Sequence, residues 1–251
     1  MSKEMIAIAE RNKKMSKTKS KIKILAIDIG GSHIKSTVLD EKGEMLMDYI
    51  SVVTPHPATF SAVTDSIKTL VKGFPPFDKI AVGFPGYIKE GTVYTAPNLD
   101  QKTWQHINLS EKLSALFNKP ALVINDADML GLGVASGNGL EMMITLGTGF
   151  GTALLKDGIL LPHIELAHHP IKNNKSYDDY IGAAALETMG IKKWNSRLKK
   201  IIYILKTVFN YDTLYIGGGN AGKINFKLDK NIKIVTNKDG IHGGARLWQQ
   251  N

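Results

Sequence analysis

One local pattern occurs twice in this sequence: a strand, a glycine-rich turn and a second strand that returns. In the first copy, apolar residues 22–29 run into the turn and residues 34–39 return. In the second copy, residues 142–146 run into the turn and residues 151–155 return. Apolar runs separated by glycine turns are typical of hairpins. Because α/β material follows each copy, the repeat predicts two α/β domains that face a central cleft.

The remaining elements follow from apolar spacing and turn residues. Apolar residues from Phe60 to Val71 recur at helical spacing, and a glycine and two prolines at 73–76 end the predicted helix. The other predictions are a third strand at 45–53, a strand at 79–84, loops at 87–108, a short helix capped by Ser110, a strand at 122–124, helices over 176–209 and a strand at 214–216. The predicted segments are a basic tail at 1–22, a first domain at 23–122 and a second domain at 123–251, whose last helix is expected to pack back on the first domain.

The formal net charge of +9 raises the question of a polyanionic partner. Residues 1–23 carry eight basic and two acidic side chains, so they contribute +6 and the rest of the chain only +3. A short basic run is usually a solvated tail. Beyond it, the sequence lacks the interleaved aromatic and basic residues of a nucleic-acid surface, so we do not expect a nucleic-acid partner.

Two absences narrow the class of protein further. The chain has no cysteine, which excludes disulfides, a thiol nucleophile and a cysteine-based zinc site. No apolar run approaches the roughly 20 residues of a membrane span, and the charged N-terminus lacks the apolar core of a secretory signal. The sequence therefore predicts a cytoplasmic protein with no membrane partner.

Asp28 lies at the end of the first strand, and only Ile29 separates it from the first glycine-rich turn. Backbone amides in such a turn bind phosphate, and a carboxylate at a strand end suits a hydrated Mg²⁺ ion. The candidate phosphate-binding residues are Asp28, Gly30, Gly31, Ser32 and Lys35, with Asp28 as the candidate Mg²⁺ ligand through water. The alternative is a simple hairpin in which Asp28 stabilises the turn.

Two further glycine clusters strengthen the phosphate hypothesis. The turn of the second copy consists of Gly147, Thr148 and Gly149. Neither turn is a P-loop or a dinucleotide fingerprint, because no GxxxxGK[ST] occurs and each turn leads into a strand. The third cluster, after the strand at 214–216, consists of Gly217, Gly218 and Gly219. It would let a flat group such as an adenine ring lie against the backbone, and the alternative is a flexible turn.

Two motifs carry side chains suited to a hydroxylated substrate. Asp126 follows Asn125 directly after a buried strand, where a carboxylate suits a general base; the alternative is a helix N-cap. Glu165 and His168 are three residues apart and can face one polyhydroxylated ligand. A competing interpretation is a metal site, although this segment lacks the HExxH spacing of a zinc motif. Its ligands would be His163, Glu165, His168 and His169.

In this order, the motifs resemble the sugar-kinase branch of the actin-like ATPase superfamily, and within it the ROK family (repressor, open reading frame, kinase), nearest to its polyphosphate-dependent glucokinases. The resemblance covers the chain from residue 22 onward. The motifs that carry it are Asp28-Ile29-Gly30-Gly31-Ser32, Gly83-Phe84-Pro85-Gly86, Ala96-Pro97-Asn98-Leu99 with Trp104, Asn125-Asp126-Ala127-Asp128, Thr145-Leu146-Gly147-Thr148-Gly149, Glu165-Leu166-Ala167-His168, Trp194 with Arg197, and Gly217-Gly218-Gly219.

The resemblance implies two actin-like, ribonuclease H-like α/β domains and a Mg²⁺-dependent glucokinase, often a homodimer. Its donor would be polyphosphate, ATP or both, and Asp126 would take the proton of the glucose 6-hydroxyl. The residues implied to bind the sugar are Asn98, Asn125, Asp126, Glu165 and His168. The first two glycine clusters would hold phosphates and Mg²⁺, and the third would lie near the nucleoside or the far end of a polyphosphate.

Two positions depart from the family pattern. Ala167 stands where the family usually has glycine, and His33 stands beside the phosphate turn where a small residue is common. A backbone with positive φ at Ala167 would strain the loop. These departures allow the alternative of a catalytically silent sugar-binding sensor or interaction protein. The intact Asp126 favours the kinase, because a sensor needs no base.

Overall fold

The structure is a computed structural model that describes residues 22–251, so nearly all of the predicted basic tail lies outside the described residues. One five-stranded sheet is formed by β1 (Lys23–Ile29), β2 (His33–Asp40), β3 (Ile50–Val53), β4 (Lys79–Phe84) and β7 (Ala121–Asn125). The strand order is β3-β2-β1-β4-β7. The first three strands form an antiparallel meander, and β4 and β7 run parallel to β1.

The second five-stranded sheet repeats this arrangement. It contains β8 (Leu140–Leu146), β9 (Phe150–Lys156), β10 (Ile159–Leu160), β13 (Thr213–Gly217) and β14 (Ile232–Ile234), in the order β10-β9-β8-β13-β14. Two short ribbons pair β5 (Ile88–Lys89) with β6 (Thr92–Val93), and β11 (Pro170–Lys172) with β12 (Lys175–Ser176). The predicted pair of α/β units is confirmed, with the same strand order in each.

Nine α-helices connect or cover these strands within the described range. They are α1 (Phe60–Val71), α2 (Gln101–Trp104), α3 (Leu109–Phe117), α4 (Asp126–Val134), α5 (Tyr177–Ile181), α6 (Ala183–Met189), α7 (Ile191–Phe209), α8 (Asn237–Ile241) and α9 (Gly243–Gln249). Short 3-10 segments cover Leu166–His168 and Ala221–Lys223. The predicted helix at 60–71 is confirmed, and the hydroxyl of Thr59 caps it by accepting from the Ala62 amide at 3.2 Å. No helix in residues 22–251 is long and apolar enough to cross a membrane.

Each sheet has its own apolar core around a buried tryptophan. In the first, Trp104 packs against Phe84 with ring centroids 4.9 Å apart, and its indole donates to the Ala58 carbonyl at 2.8 Å. In the second, Trp194 on α7 is fully buried and donates to the Ile181 carbonyl at 2.7 Å. A satisfied indole nitrogen lets such a large ring be buried without an unpaired donor. The apolar stripe of α7 is therefore core from Trp194 to Leu205, whereas Val208 near the end of the helix is 64% exposed.

The middle layer of the molecule is formed by α4 and α9. An added Cβ at Gly133 would clash with the Asp239 carbonyl oxygen, so glycine there permits the close packing of α4 on α8. In α9, Leu247 belongs to the apolar cluster that contains Ile24, and the Trp248 indole donates to the Ile80 carbonyl at 3.2 Å. The C-terminal helix therefore packs on the first sheet.

Three details differ from the sequence prediction. Strand β3 covers only Ile50–Val53 of the predicted 45–53. The Thr37 hydroxyl donates to the Met47 carbonyl at 2.8 Å, so this carbonyl does not accept a strand-pairing hydrogen bond. The cap of α3 is Asn108, because the Ser110 hydroxyl donates to the Ala121 carbonyl instead. The predicted loops at 87–108 also contain β5, β6 and α2.

The predicted boundary at 122/123 falls inside a strand. Pairing of β7 with β4 continues to Asn125, which lies opposite Phe84. The first sheet therefore ends at Asn125, and α4 leads from it toward the second sheet.

Candidate active site

A cleft of about 230 Å³ lies between the two sheets. It opens where β1, β4 and β7 end and where β8 and β13 end, and the carboxyl edge of such sheets is their usual ligand site. The predicted site residues that line it are Asp28, Gly30, Gly31, Asn98, Asn125, Asp126, Gly147, Thr148, Gly149, Glu165, His168, Gly218 and Gly219. Residues far apart in the sequence thus share one cavity.

Asp126 lines the cleft at the first position of α4. The cap of this helix is Asn125, whose side-chain oxygen accepts from the amides of Ala127 at 2.7 Å and Asp128 at 3.4 Å. Its amide nitrogen donates to the Gly86 carbonyl at 3.1 Å. The N-cap alternative therefore applies to Asn125, and Asp126 presents its carboxylate to the cleft.

The environment of Asp126 raises the pKa of its carboxyl group. Burial and then the negative charge of Asp28 raise this pKa from 3.8 to about 7. The hydrogen bond from the Ala127 amide, at 2.9 Å, acts in the opposite direction. A carboxylate whose pKa is near neutrality is suited to accept a proton from a substrate hydroxyl.

Asp28 is paired with Lys35 behind the first glycine turn. The register of β1 and β2 places the two residues opposite each other, and Lys35 Nζ lies 3.2 Å from Asp28 Oδ2. Burial raises the pKa of Asp28, and the charge of Lys35 partly offsets the effect. Lys35 is not among the lining residues, so the structure places it as the partner of Asp28.

In each of the first two glycine-rich turns, the amide of the first glycine bonds within the turn. Gly30 donates to the His33 carbonyl at 2.9 Å, and Gly147 donates to the Gly149 carbonyl at 3.1 Å. These two amides do not face a ligand, which corrects the expectation that each whole turn offers free amides. An added Cβ at Gly31 would lie 3.0 Å from Asn98, so the first turn contacts the predicted sugar site closely.

The third glycine cluster divides into different roles. Gly218 has φ of +88°, and an added Cβ would lie 2.5 Å from the Leu146 carbonyl oxygen. Gly217 is buried at the end of β13, where an added Cβ would contact Met143 at 2.7 Å. The structure thus gives Gly217 a packing role outside the cleft lining. Ser32 is exposed and also outside the lining residues.

The loop with Glu165 and His168 projects both residues into the cleft. Ala167 lies in the 3-10 segment, and its φ is not positive, so the departure from glycine causes no backbone strain. Among residues 22–251, no group of three or more His, Asp or Glu side chains is arranged so that it could hold a metal ion. Instead, the ring of His163 lies between Asp128, at 2.8 Å, and Glu165, at 3.0 Å, which argues against the metal alternative.

Asp178 is a cleft residue that sequence reasoning missed. It lies on α5, and its Oδ1 accepts from the Phe150 amide at 2.6 Å, beside the second glycine turn. Burial raises the pKa of its carboxyl group. The capping box of Ser176 with Asp179 signals a helix start, but no local pattern separates Asp178 from Asp179. Asp178 reaches the cleft only because α5 lies close to β9.

Two sheets of this strand order, with a cleft at their carboxyl ends, define an actin-like ATPase fold. The crystal structure of inorganic polyphosphate/ATP-glucomannokinase from Arthrobacter sp. strain KM has the same fold. The two superimpose with a TM-score of 0.82 and 30% sequence identity, over 92% of this chain and 100% of that chain.

Within that fold, the chain belongs to the ROK family, whose model matches residues 24–170. The polyphosphate glucokinase of Mycobacterium tuberculosis is 32% identical over 225 residues, covering 86% of this chain and 83% of its own. The polyphosphate glucokinase of Mycobacterium leprae is 33% identical over 240 residues, covering 91% of this chain and 72% of its own. The resemblance seen in the sequence is thereby confirmed.

Proposed function

We propose that this protein is a Mg²⁺-dependent sugar kinase that transfers a phosphoryl group from polyphosphate, ATP or both to the 6-hydroxyl of glucose. The observation that carries the proposal is the placement of Asp126, with its raised pKa, between two glycine turns in one cleft. Relatives named polyphosphate glucokinase and polyphosphate/ATP-glucomannokinase support this substrate and these donors.

In this proposal Asp126 accepts the proton of the attacking sugar hydroxyl. Asn98, Glu165 and His168 hold the other hydroxyls, and Asn125 contributes mainly by capping the helix that carries the base. Phosphoryl transfer depends largely on positioning and on stabilising charge. The substrate side of the site is therefore a set of hydrogen-bonding groups around one base.

The residues beside Asp126 fit a Mg²⁺ ion. Asp28 offers a hard oxygen ligand at a strand end, and its charge already raises the pKa of Asp126. A bound Mg²⁺ would supply charge neutralisation of the donor phosphates there. Lys35 holds the Asp28 carboxylate in place, and the glycine turns at 30–31 and 147–149 border the space for the phosphates.

The donor specificity depends on where a long polyanion can lie. Lys192, Lys193, Lys199 and Lys200 are exposed on α7 and offer a cationic surface. Arg197 does not add to it, because it stacks on Tyr180 at 4.2 Å and donates to the Tyr180 carbonyl at 2.9 Å. The alternative donor is ATP. Its nucleoside would lie against the backbone of Gly218 and Gly219, which line the cleft.

The test is sugar 6-phosphate formation by the purified protein with glucose and Mg²⁺, with ATP and polyphosphate assayed in parallel. Turnover with either donor supports the kinase, and the ratio of the two rates identifies the donor. Glucose binding without turnover from either donor would instead favour the silent sensor. Size-exclusion chromatography with light scattering tests the homodimer that the family resemblance implies.

A further inference from the structure

A buried histidine bridges two carboxylates at the edge of the proposed sugar site. His163 Nδ1 lies 2.8 Å from Asp128 Oδ2, and its Nε2 lies 3.0 Å from Glu165 Oε1. The side chains of His163 and Asp128 are only 9% and 4% exposed, whereas that of Glu165 is 29% exposed toward the cleft. The bridge therefore runs from the interior to a group that lines the cavity.

The bridge joins parts of the chain that are far apart in the sequence. Asp128 lies on α4, two residues after the proposed base Asp126. Glu165 begins the sugar loop, residues 165–168, and directly precedes its 3-10 segment. The ring of Tyr87, which follows β4, stacks on His163 with centroids 6.1 Å apart and planes 21° apart. His163 thus contacts the helix of the base, the sugar loop and the first domain.

The charges around His163 favour its protonated form. Burial alone would lower the pKa of His163, but the close contacts and negative charges of Asp128 and Glu165 outweigh burial and raise this pKa to about 10. The other ring packed on it, Tyr87, is uncharged. Asp128 Oδ1 is buried with no hydrogen-bond partner in residues 22–251. Burial raises the pKa of Asp128, and the positive charge of His163 offsets part of that effect.

We propose that His163, as an imidazolium held by Asp128, is a positioning residue for Glu165. It engages Oε1 of that carboxylate and leaves Oε2, which lies 3.9 Å from His168 Nε2, for a sugar hydroxyl. This inference rests on the proposed sugar site, because it concerns how one carboxylate of that site is oriented. No feature of the sequence alone pairs Asp128 with His163, which lie 35 residues apart.

The first experiment reads the charge of His163 without any activity assay. Nitrogen-15 spectra of the histidine rings of the full-length protein, recorded from pH 6 to 9, separate imidazolium from neutral imidazole. We expect one ring to stay doubly protonated at pH 8.5 and its signal to be missing in His163→Phe. If the His163 signal titrates near pH 6.5 instead, the inference is refuted.

The second experiment measures glucose binding by calorimetry without a phosphoryl donor. His163→Phe combined with Asp128→Asn removes both charges and so avoids a buried unpaired carboxylate. We expect the glucose Kd of this variant to rise about tenfold, the scale of a lost charge-assisted hydrogen bond, with Tm near that of the unmodified protein. The KM for glucose should rise by a similar factor, with kcat within about threefold, because uniform binding is lost.

Asp128→Asn alone provides the control that separates positioning from packing. With only Glu165 left as a charged partner, His163 should lose its proton at lower pH. The ratio of the glucose Kd of this variant to that of the unmodified protein should therefore increase between pH 6 and pH 9. A lower Tm with an unchanged Kd in both variants would mean a structural role and refute the inference. If the unmodified protein itself binds no glucose, the proposed function fails first.

Discussion

Replacement of Asp126 by asparagine should make the protein more stable and much less active. The carboxyl pKa of 3.8 rises to about 7 in the folded protein, so ionisation of Asp126 is unfavourable in the fold. The raised pKa favours the protonated form. The free-energy cost of ionising Asp126 in the folded protein is therefore absent below about pH 3.8 and complete above about pH 7. The stability contributed by protonation is thus lost as the pH rises.

The magnitude follows from the difference between the two pKa values. At about 1.4 kcal/mol for each factor of ten in proton affinity, the change from 3.8 to about 7 corresponds to about 4 kcal/mol at pH 8. At pH 5 the same relation leaves less than half of this cost. The asparagine of the variant keeps the oxygen that accepts from the Ala127 amide and cannot ionise. We therefore expect the stability advantage of Asp126→Asn to grow by about 3 kcal/mol between pH 5 and pH 8.

Urea unfolding at both pH values, followed by tryptophan fluorescence, measures this difference. Asp65→Asn is the matched control, because it removes an exposed carboxylate on α1, outside the cleft. Turnover by Asp126→Asn should fall by about 10²- to 10⁴-fold, the usual contribution of a general base. A stability advantage independent of pH would refute the pKa argument, and retained turnover would refute the assignment of the base.

Three further predictions concern the proposed base, the third glycine cluster and the contact of α9 with α4. The kcat/KM for glucose should fall as the pH drops below about 7, because protonated Asp126 cannot accept a proton; initial rates from pH 5.5 to 8.5 test it. Gly218→Ala should lower stability by about 3 kcal/mol, through its positive φ and the clash with a carbonyl, as measured by urea unfolding. Arg246→Met should cost about 2 kcal/mol, since Arg246 donates to the carbonyls of Leu132 and Ala135 at 2.8 and 2.6 Å; thermal unfolding tests it.

Each of these has a control or a contrary outcome. A flat profile of kcat/KM across pH 7 would argue against Asp126 as the base. Gly219→Ala is the control for Gly218→Ala, because no heavy atom lies within 4 Å of its added Cβ. It should leave the stability nearly unchanged. Equal losses of stability in both variants would contradict the steric reasoning. An unchanged Tm in Arg246→Met would show that α9 does not stabilise the end of α4.

Most secondary structure was predictable because it depends on local spacing. The apolar runs at β1, β4 and β8 and the stripe of α7 each identify their element from the sequence. The exceptions are places where a side chain competes with the backbone. Thr37 shortens β3 by donating to the Met47 carbonyl. Ser110 does not cap its helix, because its hydroxyl donates to the Ala121 carbonyl. Such partners are distant in the sequence, so local spacing does not reveal them.

The sequence by itself determined the repeated α/β organisation, the glycine turns and the carboxylates at strand ends, because each depends on a few consecutive residues. Only the tertiary structure decided how these groups act on one another. It paired Lys35 with Asp28 across two strands and brought Asp178 to the cleft. It also placed His163 between Asp128 and Glu165. The physical reason is that pKa values and ion pairs depend on burial and on distances of a few ångströms between residues that are far apart along the chain.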